Sequence, residues 1–339
     1  MQFDGVQTDS VNDVAGLAEW LSGANPAHPL VASVGSNEWF AKPIDEMIKG
    51  LYTNGVGGLS SRRKSFVSDA EHFLDNRAEL NVAYCLSRSC SRVWFGREGG
   101  NSPSEPDVYC ISEGGVEFCV EVTTKSPEGI GNLHDELEAA LVGRDVHVVL
   151  NVASILRLSP AQRAEAVQLV VQAADRPKPP VVNVSLPMAG GSAQISWHSE
   201  WGGPSVVWQH DFSQSAISEC EEIFYEAVTK KSEQARMGAW PPNTLLVVDV
   251  SRIGNVMWLR GDELWARRLH GMSAGWNELP FLGVAMILST LTSVGYRGAI
   301  APRRNLSHIE VAVFTEAVSV LGVGLACRNR EAADPSFPE

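Results

Sequence analysis

The sequence predicts an α/β protein in which a mixed central sheet is flanked by helices. Segments with apolar residues at helical spacing alternate along the chain with short segments typical of buried strands, as in α/β folds. The 339 residues are 44% hydrophobic and 20% charged, which supplies a large core and is far from the composition of disordered chains. The longest mostly apolar run, 281–291, is too short to cross a bilayer and predicts a buried helix, so we expect no membrane partner.

The N-terminal part is predicted to be helical. Apolar residues recur at helical spacing in 11–21 and 37–51. Residues 53–61 contain three glycines and predict a loop. Segment 68–88 predicts the clearest helix of this part, with Ser68 as its N-cap.

Three short strands are predicted next, at 92–95, 108–111 and 116–123. Gly114 and Gly115 separate the second strand from the third, which is a turn signal between antiparallel strands. We therefore expect a tight hairpin here.

The alternation continues to the end of the chain. Helices are predicted at 132–141, 159–173 and 215–236, and strands at 146–152, 181–186, 193–197 and 245–250. Ser159 followed by Pro160 is a helix-start signal. Segments 299–302 and 311–325 complete the predicted fold.

The predicted domain organisation has three parts. Residues 1–60 form an N-terminal helical segment, 61–176 the core, and 177–339 an α/β extension. The boundary rests on the proline-rich break at 177–180, and a single domain is the alternative.

The charge distribution excludes a general polyanion binder. The formal net charge is −13, whereas a protein that holds nucleic acid by charge alone is basic. A metal-dependent nuclease is still allowed, because its site is acidic until the cation binds. Residues 52–97 carry seven basic and four acidic residues, and Arg62 and Arg63 in this stretch are candidate substrate-binding residues.

The cysteines and the N-terminus predict a cytoplasmic protein. The six cysteines contain no CxxC pair, and the first residues show neither a basic region nor an apolar stretch typical of a secretory signal. We therefore expect reduced thiols within the core.

Two acidic residues stand at informative positions in the predicted hairpin. Glu121 lies inside an apolar strand, where a carboxylate is costly unless it is paired, protonated or bound to a metal. Asp107 opens the preceding strand. Residues on neighbouring antiparallel strands can have Cβ atoms about 5 Å apart, so the two carboxylates can converge. Such a pair suits magnesium or manganese.

These residues, with Glu79 on the preceding helix, resemble the motif of the restriction-endonuclease-like PD-(D/E)XK nuclease superfamily. The matching stretches are Glu79, Pro106-Asp107 and Glu121-Val122-Thr123. The resemblance covers about residues 68–152. It implies a restriction-endonuclease-like core, a site in which Glu79, Asp107 and Glu121 hold Mg²⁺ or Mn²⁺, and hydrolysis of nucleic acid phosphodiester bonds, with DNA as the favoured substrate.

The chain departs from that motif at the lysine position, which is Thr123. Lys125 shares the strand face of Glu121 and Thr123 and is one candidate for the missing cation. Lys231, followed by Gln234, is the other, and it resembles a downstream Lys-x-x-Gln of some relatives. Thr123 and Gln234 are candidate substrate contacts.

A second function remains open at this point. Without a lysine, the chain would be a catalytically inactive module of the same fold, binding a protein or nucleic acid partner within a defence or repair assembly. Each acid also has a structural interpretation: Glu79 as a solvated helix residue, Asp107 as part of a turn, and Glu121 as half of an ion pair. Lys125 can equally be a solvated residue at the end of a strand.

Overall fold

The computed structural model describes most of the chain. The described residues are 16–24, 28, 31, 38–68, 73–96, 105–125, 130–152, 158–175, 181–188, 191–197, 204–210, 214–251, 262–289 and 293–325.

The described elements alternate along the chain as the predicted class requires. The helices are α1 Leu17–Trp20, α2 Glu38–Thr53, α3 Leu59–Ser68, α4 Phe73–Ser87, α5 Ile130–Ala140, α6 Pro160–Ala174, α7 Gln214–Gly238, α8 Asp262–Ser273 and α9 His308–Leu321. The strands are β1 Cys90–Phe95, β2 Val108–Ser112, β3 Glu117–Thr124, β4 Val146–Val152, β5 Val181–Ser185, β6 Ser192–Trp197, β7 Ser205–His210, β8 Thr244–Asp249, β9 Gly283–Ser289, β10 Tyr296–Pro302 and β11 Gly324–Leu325.

The chain divides into two compact units. The first comprises the described residues within Met1–Thr124, Glu226–Ser251 and Arg260–Glu339, and the second those within Lys125–Tyr225. This division differs from the predicted boundaries at 60 and 176. The reason is that β8 pairs in parallel with β3, which returns the later strands to the first sheet and makes the intervening chain an insertion.

The first unit is built on a seven-stranded mixed sheet with the order β1-β2-β3-β8-β9-β10-β11. The pairs β1–β2, β2–β3 and β9–β10 are antiparallel, whereas β3–β8, β8–β9 and β10–β11 are parallel. A mixed central sheet with flanking helices is therefore confirmed.

Helix α4 covers the β1–β3 end of this sheet and defines the surroundings of the candidate site. Its Leu80 and Ala83 are fully buried in the same core as Val120 of β3. Side chains alternate between the two faces of a strand, and residues 118–122 of β3 are all buried, so both of its faces are covered. Burial of one such aliphatic side chain contributes about 1.5–3 kcal/mol.

The second unit is a four-stranded sheet with the order β5-β6-β4-β7, together with α5 and α6. The predicted N-cap Ser159 is confirmed: its hydroxyl accepts a hydrogen bond from the Gln162 backbone N–H, and the Gln162 side chain completes a capping box. The core of this unit includes Leu137, Val148 and Ile195.

Several sequence predictions fail in instructive ways. The run 281–291 is not a helix: it contains β9, all of whose residues are buried, and a continuous apolar run does not distinguish a buried strand from a buried helix. The predicted loop 53–61 already contains the start of α3. Ser68 ends α3 instead of capping the next helix, which is described from Phe73 onwards.

Other predictions fall only partly on described residues. Of the predicted helix 11–21, α1 is described, whereas residues 11–15 and the break at 177–180 lie outside the described residues. Among the described helices, none combines the length and the apolar character needed to cross a membrane.

Candidate active site

The β2–β3 hairpin brings Asp107 and Glu121 together. Val108 pairs with Val120, so the antiparallel register, continued by one residue, sets Asp107 opposite Glu121. Asp107 Oδ2 accepts a hydrogen bond from the Val122 backbone N–H at 2.9 Å. Gly115, with φ of +77°, makes the turn that sets this register.

Glu121 is a buried carboxyl group in an apolar strand, as the sequence predicts. It is 3% exposed, and burial, followed by the negative charge of Asp107, raises its pKa well above the ordinary value. Its Oε2 atom is buried and accepts no hydrogen bond from any residue that the structure describes. A side-chain hydrogen bond with Asp107 also raises the pKa of Glu121, so either a shared proton or a bound cation would satisfy this pair of carboxyl groups.

Lys231 of α7 is the cation that meets Glu121. Its Nζ forms an ion pair with Glu121 Oε1, although the two residues are 110 positions apart in the sequence. Burial alone would lower the pKa of Lys231, but the neighbouring carboxylates, Glu121 first and then Asp107, more than offset this and raise it. The ammonium group is therefore charged at neutral pH.

The other residues proposed around the lysine position occupy different places. Lys125 directly follows β3, where the second unit begins. Thr123 lies in β3, two residues beyond Glu121, and is half-buried. Gln234 is also half-buried and lies on α7, three residues after Lys231. Of the two candidate lysines, Lys231 is the one whose contact with Glu121 the structure describes.

Glu79 joins the cluster from α4 but meets an arginine. It is 9% exposed, which excludes the solvated interpretation, and it forms an ion pair with Arg62 of α3. Burial, followed by the charge of Asp107, raises the pKa of Glu79 well above its usual value, and Arg62 offsets part of this effect. The three acids therefore interact electrostatically within one cluster.

Arg62 and Arg63 have separate roles. The Arg62 guanidinium also contacts Asp107 Oδ1 at 3.3 Å and is only 8% exposed, so it belongs to the acidic cluster. Arg63 donates hydrogen bonds to the backbone carbonyls of Trp20, Glu19 and Ser22, at 2.9, 3.0 and 3.2 Å. Arg63 thus anchors the C-terminal end of α1.

The side chains available as ligands for a divalent cation are two carboxylates, Asp107 and Glu121, and not the three acids that the sequence predicts. Among the described residues, no group of three or more His, Cys, Asp and Glu side chains is arranged to hold a metal ion. Asp107 and Glu121 are nonetheless adjacent oxygen ligands, and Mg²⁺ commonly takes one or two protein carboxylates and completes its shell with water and phosphate oxygens. The spare Glu121 Oε2 is consistent with such a ligand.

A second polar cluster, which the sequence pattern does not indicate, lies at the carboxyl ends of β8 and β9. Asp249 is buried, and its Oδ2 accepts a hydrogen bond from Ser289 Oγ at 2.6 Å. Its Oδ1 accepts from the Ser251 backbone N–H at 2.9 Å. Both carboxylate oxygens therefore have hydrogen-bond partners, and these bonds link the end of β8 to the end of β9.

Comparison of the chain with protein-family models, with curated proteins and with solved structures gives no match. The function of the protein is therefore inferred from the geometry of the cluster formed by Arg62, Glu79, Asp107, Glu121 and Lys231.

Proposed function

We propose that this protein is a metal-dependent nuclease that hydrolyses phosphodiester bonds of nucleic acid, with DNA as the first substrate to test. The observation that carries the proposal is the convergence of three residues: Asp107, which directly precedes β2, Glu121 of β3 and Lys231 of α7. Two carboxylates can hold a divalent cation that activates water, and a charged lysine can stabilise the charge that develops on the phosphate, so these groups suit hydrolysis of a phosphodiester.

Each residue has a definite role in this proposal. Asp107 and Glu121 would hold Mg²⁺ or Mn²⁺, which supplies an activated water and stabilises charge on the phosphate. Lys231 would orient the attacking water or stabilise the pentavalent phosphate through its ammonium group. Because Lys231 already contacts Glu121, its position is fixed before a substrate arrives.

The order of elements also supports the proposal. Glu79 lies on the helix that precedes the sheet, Asp107 directly precedes β2, and Glu121 lies in β3. This is the order implied by the resemblance to the PD-(D/E)XK superfamily. Lys231 supplies from α7 the positive charge that Thr123 cannot supply from β3.

An inactive partner-binding module of the same fold is the second candidate. The observation that favours it is the Arg62 guanidinium, which forms ion pairs with both Glu79 and Asp107. In that case the cluster would be a structural charge network, and the protein would bind a protein or nucleic acid without cleaving it.

A cleavage assay separates the two candidates. Fluorescent single- and double-stranded DNA and RNA are incubated with Mg²⁺ or Mn²⁺ and the wild-type protein, beside Asp107→Asn and Glu121→Gln. The matched control is Glu117→Gln, which removes an exposed carboxylate from the same strand. We expect cleavage by the wild type and the control, and its loss in both site variants and with chelator. If the folded wild-type protein cleaves none of these substrates, neither with Mg²⁺ nor with Mn²⁺, the nuclease proposal is overturned.

A further inference from the structure

Arg62 is held in place by the start of α3. Gly57, just before this helix, bonds to β1 in both directions: its N–H donates to the Val93 carbonyl at 3.1 Å, and its carbonyl accepts from the Phe95 N–H at 3.0 Å. Arg62 lies one turn into α3, and its guanidinium is 5.1 Å from the centroid of the Phe95 ring. The backbone and the ring together fix this side chain before any ligand binds.

Arg62 is buried as the counter-ion of neighbouring carboxylates. A buried guanidinium is costly unless carboxylates compensate for its lost hydration. Glu79 of α4 and Asp107, which precedes β2, both compensate Arg62 in this way. Its 8% exposure leaves little surface for contact with a phosphate backbone.

The charges of the cluster leave room for one further cation. Glu79, Asp107 and Glu121 carry three negative charges when ionised, and Arg62 and Lys231 carry two positive charges. With all five groups ionised, one negative charge remains, and the buried Glu121 Oε2 accepts no hydrogen bond from the described residues. A second divalent ion with Glu79 and Asp107 as its ligands would have to displace Arg62, which already pairs with both carboxylates.

We propose, on the basis of the nuclease function inferred above, that Arg62 replaces a second metal ion and restricts the protein to one divalent cation, bound at Asp107 and Glu121. Arg62 is thus a positioning residue: it neutralises Glu79 and holds Asp107 in place for the single ion.

Binding of Mn²⁺ to metal-free protein, measured by electron paramagnetic resonance of the unbound ion, tests this directly. We expect one bound ion in the wild type and a second ion in Arg62→Met, which keeps much of the side-chain volume but lacks the charge. Arg63→Met is the matched control and should bind one ion, because the described contacts of Arg63 are with backbone carbonyls in α1 and just after it. Two ions in the wild type, or identical binding by the wild type and Arg62→Met, would overturn the inference.

A double variant keeps the test valid if Arg62→Met does not fold. Arg62→Met with Glu79→Gln removes both charges of the pair and should bind one Mn²⁺, as the wild type does. Loss of that ion in the folded double variant would show that the Arg62–Glu79 pair is needed for the first ion, which contradicts the inference.

The two proposals can fail separately. A wild type that binds one Mn²⁺ but cleaves nothing refutes the nuclease and leaves the role of Arg62 intact. A wild type that cleaves nucleic acid with two bound ions supports the nuclease and refutes the role of Arg62.

Discussion

The Asp107 carboxylate accepts a hydrogen bond from the Val122 backbone N–H at 2.9 Å, and this contact joins the residue that opens β2 to the strand that carries Glu121. The register of β2 with β3 ends at the Val108–Val120 pair, so the contact extends the hairpin by a side chain. Asp107 therefore has two separable properties. Its charge serves the proposed metal site, and its acceptor oxygen serves the fold.

Substitutions at Asp107 should separate these two properties. Asp107→Asn keeps an acceptor for the Val122 N–H, whereas Asp107→Ala leaves that buried donor unpaired at a cost of about 1–3 kcal/mol. We expect both variants to lose cleavage and only the alanine variant to lose stability on this scale. Urea denaturation measures the free energy of unfolding of each variant. Equal destabilisation by both substitutions would contradict the structural role of the acceptor.

The contact between Lys231 and Glu121 leads to a second prediction. Lys231→Met removes the ammonium group from the cluster and should reduce the cleavage rate by about 10²–10³-fold, the usual loss for one preorganised charge-stabilising donor. The neighbouring Lys230 is exposed on the same helix, so Lys230→Met is a matched control and should leave the rate unchanged. Single-turnover rates at saturating Mg²⁺ are the measurement.

Lys125→Met completes that experiment. Lys125 is the other lysine that the sequence predicts as the cation of the site, and the described contact with Glu121 belongs to Lys231. We therefore expect Lys125→Met to retain cleavage. A loss of cleavage in Lys125→Met with full activity in Lys231→Met would reverse the assignment of the lysine.

The sequence predicts the two residues of the cluster that lie close together in the chain, on the β2–β3 hairpin. Glu121 stands out because it interrupts an apolar strand, and Asp107 follows from the hairpin that Gly114 and Gly115 predict. Their convergence requires only the antiparallel register, which the turn determines.

The unpredicted part depends on contacts between distant segments. Arg62 meets Asp107, which is 45 residues later, because α3 is anchored to β1, and no local spacing encodes that anchor. The division of the chain likewise depends on the parallel pairing of β3 with β8, across an insertion that carries its own sheet. A parallel pair needs a long crossover, and the sequence does not indicate which later strand completes it.

The described cysteines should differ in reactivity. A hydrogen bond from Cys110 lowers the pKa of Cys90, whereas burial raises the pKa of Cys85 to about 11 and those of Cys119 and Cys220 to about 12. The thiolate is the nucleophile, so a lower pKa gives more reactive thiol at a given pH. Of these four thiols, Cys90 should react first with iodoacetamide as the pH rises from 7 to 9.

Peptide mass spectrometry after timed alkylation checks this order. In Cys110→Ala the hydrogen bond to Cys90 is lost, so the pKa of Cys90 should rise and its alkylation at pH 8 should slow. An unchanged Cys90 rate in this variant, or faster labelling of Cys85 in the wild type, would contradict the assigned cause.

Two glycines that precede α3, Gly55 and Gly58, test how firmly Arg62 is positioned. Gly58 has φ of +78°, and a Cβ atom there would lie 3.2 Å from both the Cβ and the carbonyl oxygen of Phe95. Gly55 has a similar φ of +67°, but nothing lies within 4 Å of a Cβ added to it. The pair therefore separates backbone strain from crowding against β1.

Alanine at Gly55 should destabilise the fold by about 1–2 kcal/mol, the cost of a left-handed conformation for a residue with a Cβ. Alanine at Gly58 has the same unfavourable backbone conformation and would also push α3 away from Phe95. Gly58→Ala should therefore lower the free energy of unfolding more than Gly55→Ala does. Because the carbonyl of Gly58 accepts the Arg62 backbone N–H at 3.3 Å, this shift should also move the guanidinium away from Glu79 and Asp107. Urea denaturation measures the free energy of unfolding of the two variants. Equal losses of stability would show that α3 can shift relative to β1 at little cost, so that this contact does not hold Arg62 rigidly.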